Sequence, residues 1–188
     1  MARKQASFTY PSALPPAETV FFPSSASPSA SSPYVLFIPG NPGLVTYYTT
    51  FLTALSSLLH SPILGVSLSG FHSCQPSARY SAPGYWTLEE QVTHKLELIQ
   101  SIAATHGLKK VIIVAHSVGA YIALEVIRRL RDEENANVEV VGGVLLFPTI
   151  VDIARSPSGI VLTVINIHAI ATLLPYLGSN NNGGWWRR

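Results

Sequence analysis

One short string in the chain has residue types in an order suited to covalent catalysis: Ala115-His116-Ser117-Val118-Gly119. A serine hydroxyl is a weak nucleophile unless a base can reach it and backbone N–H groups can receive the developing oxyanion. Small residue, any residue, serine, any residue, glycine, set between a strand and a helix, is the pattern of a nucleophile elbow. Its turn holds the serine in a strained conformation, so the residues two positions away must be small. Ala115 is the least intrusive substitute for the usual first glycine, and Gly119 keeps the following helix close to the sheet. The Val118 N–H, at the helix start, can then face an oxyanion. The plainer alternative is a turn whose serine only caps a helix.

A second loop strengthens the catalytic alternative. Pro39-Gly40-Asn41-Pro42-Gly43 follows an apolar run, and an acyl-transfer serine needs a second oxyanion donor from such a loop. The Asn41 N–H is the natural candidate, because Pro42 has none to offer. Gly40 beside it would line the pocket. Asn-Pro-Gly is also ordinary turn chemistry, so this loop carries weight only when paired with the elbow.

These loops need a scaffold, and the apolar pattern supplies one. Val20-Phe21-Phe22 reads as a short edge strand, and Tyr34–Ile38, Ile63–Leu68, Val111–Val114 and Val138–Phe147 as further strands. Between them, Tyr47–Leu59, Thr87–Ala104 and Gly119–Arg131 have helical spacing. In the first, Phe51, Leu52, Leu55, Leu58 and Leu59 recur on one face. In the second, Val92, Leu96, Ile99 and Ile102 or Ala103 do so, after a Thr87–Glu90 capping box. Unbroken apolar strands separated by helices predict an α/β fold, a mostly parallel, doubly wound sheet covered on both faces. Chemistry in such sheets lies beyond the carboxyl ends of the strands, where both loops fall.

Composition narrows the function classes. The 188 residues are 47% hydrophobic and 12% charged, against about a quarter charged in an ordinary soluble domain, which excludes a wholly disordered chain. A formal net charge of +2, without a basic cluster, argues against a nucleic-acid partner. Cys74 is the single cysteine, and no histidine or acid cluster has metal spacing, so no metal or other cofactor is expected. The lone cysteine and the Pro- and Glu-interrupted N-terminus, which lacks a secretory h-region, point to an intracellular location. Residues 23–33 are almost wholly Ser, Pro and Ala and read as a loop.

Several stretches together resemble the lipid droplet-associated hydrolase family. They are Leu36–Gly43 with Tyr47, Tyr48 and Phe51; Glu90–Leu96; the elbow extended to Ile122; and Leu146–Ile150 with Ser156–Gly159. The likeness covers roughly residues 33 to 165. It implies an α/β-hydrolase fold, a nucleophile at Ser117, and action on neutral lipid esters, of sterols or acylglycerols, at the lipid droplet surface or the endoplasmic reticulum membrane. Ala115 departs from the family's usual glycine. Phe71-His72 resembles the family's Gly-His turn, which would place His72 at the pocket. His116, the residue before the nucleophile, would line the pocket with its ring turned from the serine hydroxyl. His94 and His106 read as surface groups.

The acid and base are harder to find. In this fold they follow the serine in the order acid, then histidine. After Ser117 the chain offers Asp132, in a charged helix end, then Asp152 and His168. With Asp132 set aside as a solvated helix end, Ser117–Asp152–His168 is the one plausible triad in that order. Against it, His168 lies within Ile160–Leu177, a run without charge, and the sheet would lack its last strands. The family pattern implies an apolar cap in this region and an acid and base beyond residue 188. The expected organisation is an N-terminal segment over 1–32, a hydrolase core over 33–155, and a cap or lipid-surface segment over 156–188. A non-catalytic lipid-surface protein of the same fold is the alternative function.

Overall fold

The computed structural model describes residues 4–12, 14–24, 32–71, 87–133 and 137–151. The chain divides into two compact units, 1–150 and 151–188, and the described residues lie in the first, Val151 apart.

Five strands form one sheet: β1 (Thr19–Phe22), β2 (Tyr34–Ile38), β3 (Ile63–Val66), β4 (Lys110–His116) and β5 (Glu139–Leu146). Their spatial order is β1-β3-β2-β4-β5. β1 runs antiparallel to β3, and the other pairs are parallel. Among the described residues three α-helices, α1 (Thr49–Leu58), α2 (Leu88–His106) and α3 (Val118–Asp132), alternate with the strands. The architecture is the expected one, and the capping box is present. Thr87 Oγ1 accepts from the Glu90 N–H at 3.2 Å, while the Glu90 carboxylate accepts from the Thr87 N–H at 2.6 Å. Gly107, at φ 65°, closes α2 in the left-handed conformation.

The period of two along β2 divides the core. Leu36 and Ile38 join Leu64, Val66, Ile113 and Ala115 under α2 and α3. Val35 and Phe37 face the other way, onto Ile63, Val45 and Leu52 of α1. Each fully buried Leu, Ile or Phe contributes about 1.5–3 kcal/mol. The N-terminal segment belongs to this core, since Phe8, Tyr10, Leu14 and Ala17 pack against the α2 side.

Burial departs from the expected faces in three places. On α1 only Leu52 is fully buried among the apolar residues, whereas Phe51 and Leu58 are exposed. The reason is that α1 presses on the sheet along Leu52 and Ser56, one turn apart, and covers it with a narrow stripe. β5, at one edge of the sheet among the described residues, is partly exposed along both faces, with Val141 and Val144 open to solvent. The third departure is His94, expected on the surface and 2% exposed. Positions 91, 94, 95 and 98 share the inward face of α2, so His94 sits under the N-terminal segment, against Tyr10 and Pro15.

Candidate active site

β4 and α3 meet at Ser117. The parallel pairing of β2 with β4 (Ile38 beside Ala115) brings the loops that follow both strands to one edge of the sheet. Ser117 adopts φ 52° and ψ −123°, outside the region L-residues ordinarily occupy. Such strain persists only where the surroundings over-determine it. Here the Ser117 N–H donates to the Leu146 carbonyl at 3.0 Å, and the Ser117 carbonyl accepts from Ala120 at 3.0 Å and Thr149 at 3.2 Å. The turn is thus fixed from the end of β5 and from the first turn of α3.

Two glycines make the geometry possible. A Cβ on Gly119 would lie 2.6 Å from the Pro39 carbonyl oxygen and 2.7 Å from that of Ile38, so α3 can start this close to β2 only without a side chain. A Cβ on Gly40 would lie 2.6 Å from Ser117 Cβ and 2.7 Å from His116 Nδ1. Gly40, His116 and Ser117, named separately from the sequence, are therefore brought together. Asn41 follows Gly40 at an exposed position of the turn closed by the Gly43 N–H on the Gly40 carbonyl, 2.7 Å. Val118 opens α3, in the turn whose N–H groups have no acceptor within the helix. His72, Asp152 and His168 lie outside the described residues. Among the described residues no group of three His, Cys, Asp or Glu is placed to hold a metal ion.

The family model for lipid-droplet associated hydrolase matches residues 31–179. The chain belongs to this family. A lipid droplet-associated hydrolase from Gallus gallus is 36% identical over 152 residues, covering 74% of this chain and 44% of that protein. The Homo sapiens protein of the same name is 31% identical over 144 residues, covering 69% of this chain and 41% of its own length. The chain thus spans less than half the length of these relatives. Among solved structures, a putative hydrolase from Agrobacterium vitis aligns with TM-score 0.52 at 18% identity, over 78% of this chain and 52% of that one. An esterase from Rhizomucor miehei aligns with TM-score 0.51 at 17% identity, over 76% and 43%. These likenesses give an α/β-hydrolase fold.

Three contacts of this lipid droplet-associated hydrolase family member were not foreseen from its residue types. Thr149 Oγ1 lies 3.4 Å from Ser117 Oγ. Tyr48 places its hydroxyl 2.9 Å from His116 Nδ1 and accepts from the Gly40 N–H at 3.3 Å, tying the two loops together. The His116 ring is held between Tyr48 and Phe147, at centroid distances of 5.6 and 6.1 Å. Tyr48 was visible only as part of the family-like Tyr47-Tyr48 pair; nothing in its spacing signalled a role beside the elbow.

The third contact lies deeper. Lys95 is wholly buried, and among the described residues no carboxylate pairs with it. Its Nζ donates to the Ser67 carbonyl at 2.8 Å and lies 3.0 Å from His94 Nδ1. Burial pushes the Lys95 amine down to about 7, and burial with the neighbouring Lys95 charge pushes His94 down to about 4.

Proposed function

We propose that the chain carries the nucleophile of a serine hydrolase acting on carboxylic esters of neutral lipids, of sterols or acylglycerols, at the lipid droplet surface. The observation that carries this reading is the strained Ser117, held between β4 and α3 with Gly40 packed against it. In the reaction Ser117 Oγ attacks the ester carbonyl and passes its proton to a base. The Val118 and Asn41 N–H groups receive the oxyanion, and collapse of the tetrahedral intermediate releases the alcohol. Water then hydrolyses the acyl-enzyme. Asp152 and His168 are the acid and base available in order within the chain.

Membership of the lipid droplet-associated hydrolase family supports the lipid substrate and the droplet location. Phe147, one of the two rings that hold His116, is exposed, as is Tyr47 next in sequence to Tyr48, the other, and both suit a site that meets an apolar phase. Among the described residues no helix is long and apolar enough to cross a membrane.

The test is hydrolysis of emulsified cholesteryl ester and triacylglycerol by purified protein, with Ser117→Ala as control. Serine-dependent release of fatty acid is expected. Droplet binding without hydrolysis would favour the non-catalytic alternative.

A further inference from the structure

Ser67–Ser69, the loop that leaves β3, is buried, and its polar groups are almost all taken up by other elements. The Ser67 N–H donates to the Glu18 carbonyl at 2.9 Å, and Ser67 Oγ accepts from the Val45 N–H at 2.9 Å. The Leu68 N–H donates to the Gly43 carbonyl at 2.8 Å. Gln91 clasps Ser69 from α2: its Oε1 accepts from the Ser69 N–H and its Nε2 donates to the Ser69 carbonyl, both at 2.8 Å. Lys95, one turn further along α2, donates to the Ser67 carbonyl. The loop is therefore a keystone between α2, the N-terminal segment and the loop that carries Gly40 and Asn41.

A buried amine with no carboxylate partner among the described residues is costly, and the Lys95 amine offsets part of that cost by satisfying the Ser67 carbonyl, which an apolar side chain would leave without its donor. We propose that Lys95, together with Gln91, is a positioning residue for the acyl-transfer site, setting the loop that carries Asn41 against Ser117. The path is short. Lys95 fixes Ser67, Ser67 and Leu68 fix Val45 and Gly43, and Gly43 closes the turn on Gly40, which packs on the serine. The Pro15 carbonyl can only accept, so His94 Nε2 is the donor there and His94 Nδ1 is the acceptor in its contact with Lys95. The ring proton on Nε2 faces Pro15 O at 3.1 Å and Tyr10 Oη at 2.6 Å. The N-terminal segment is thereby joined to the same strut. Displacement of an oxyanion donor slows bond formation more than it weakens ligand binding.

This inference rests on the serine-hydrolase reading, and saturable labelling by an alkyl fluorophosphonate separates the two. In Lys95→Met the maximal labelling rate is expected to fall about tenfold while the half-saturating concentration stays within about twofold. Amides of residues 39–47 should exchange about tenfold faster, with those of α3 unchanged. An unchanged maximal rate in folded Lys95→Met overturns the positioning role, and so does exchange that accelerates equally along the whole chain. Failure of the unmodified protein to label overturns the hydrolase reading and this inference with it. If Lys95→Met does not fold, Gln91→Met carries the same expectations, because it releases Ser69 from the same loop.

Discussion

Ser117 and its neighbours illustrate how a few contacts set chemistry. Tyr48 joins the Gly40 loop to His116 through one hydroxyl. Tyr48→Phe keeps the ring that packs on Phe37 but frees both partners. It should lower the rate of fluorophosphonate labelling several-fold and cost about 1 kcal/mol of stability in denaturant titration. Gly40→Ala tests the close approach directly, because the new methyl would meet Ser117 and His116 inside contact distance. Labelling should fall by more than tenfold, with a loss of about 1–3 kcal/mol. Labelling at the unmodified rate would show that the two loops part without consequence. Most of this cluster was legible in the residue string, since Ser117, Gly40, Asn41, Val118 and His116 were all named from type and spacing. Lys95 was not. A lysine in a helical pattern reads as solvated, and only the packing of Ser67 and the N-terminal segment onto α2 reveals a buried amine.

Helix α2 was read with its cap and length nearly intact, because capping is local chemistry carried by Thr87, Glu90 and Gly107. Thr87→Ala should destabilise the protein by about 1 kcal/mol, visible as a lower thermal midpoint, through loss of the side-chain acceptor at the helix start. The inward face of α2 was read less well. It was expected along Val92, Leu96, Ile99 and Ile102, whereas Leu96 is only partly buried and Gln91, His94 and Lys95 are inside. Apolar periodicity locates apolar faces, and it is blind to polar residues whose partners come from distant segments. On α1 and β5 apolar residues that matched a buried pattern lie exposed, because α1 meets the sheet along a narrow stripe and β5 is an edge strand among the described residues.

For the molecule taken together, the two buried bases predict how stability varies with pH. Lys95 has its folded value pushed down to about 7 from 10.5, so between those limits the unfolded chain binds more protons than the folded one. Stability contributed through Lys95 therefore rises as pH rises from about 7 to about 10.5, with a slope of at most about 1.4 kcal/mol per pH unit. His94 acts in the same sense between about 4 and 6.5. Denaturant titrations of the unmodified protein should show increasing stability across the higher window, and Lys95→Met should flatten it. An equal slope in the variant would mean that Lys95 is not the group responsible. Helix placement, the mostly parallel sheet and the meeting of the Gly40 and Ser117 loops at one edge were expected from alternating apolar runs and two glycine-bearing turns, whereas the strand order β1-β3-β2-β4-β5 was not read from the sequence. The share of the curated relatives that this chain spans, 44% for the Gallus gallus protein, could not be read from the chain itself. The most direct measurement is labelling of purified, folded protein with a fluorophosphonate probe beside Ser117→Ala. Labelling that vanishes in the variant is the expected result and means that Ser117 is an activated nucleophile; folded protein that takes up no label would contradict it.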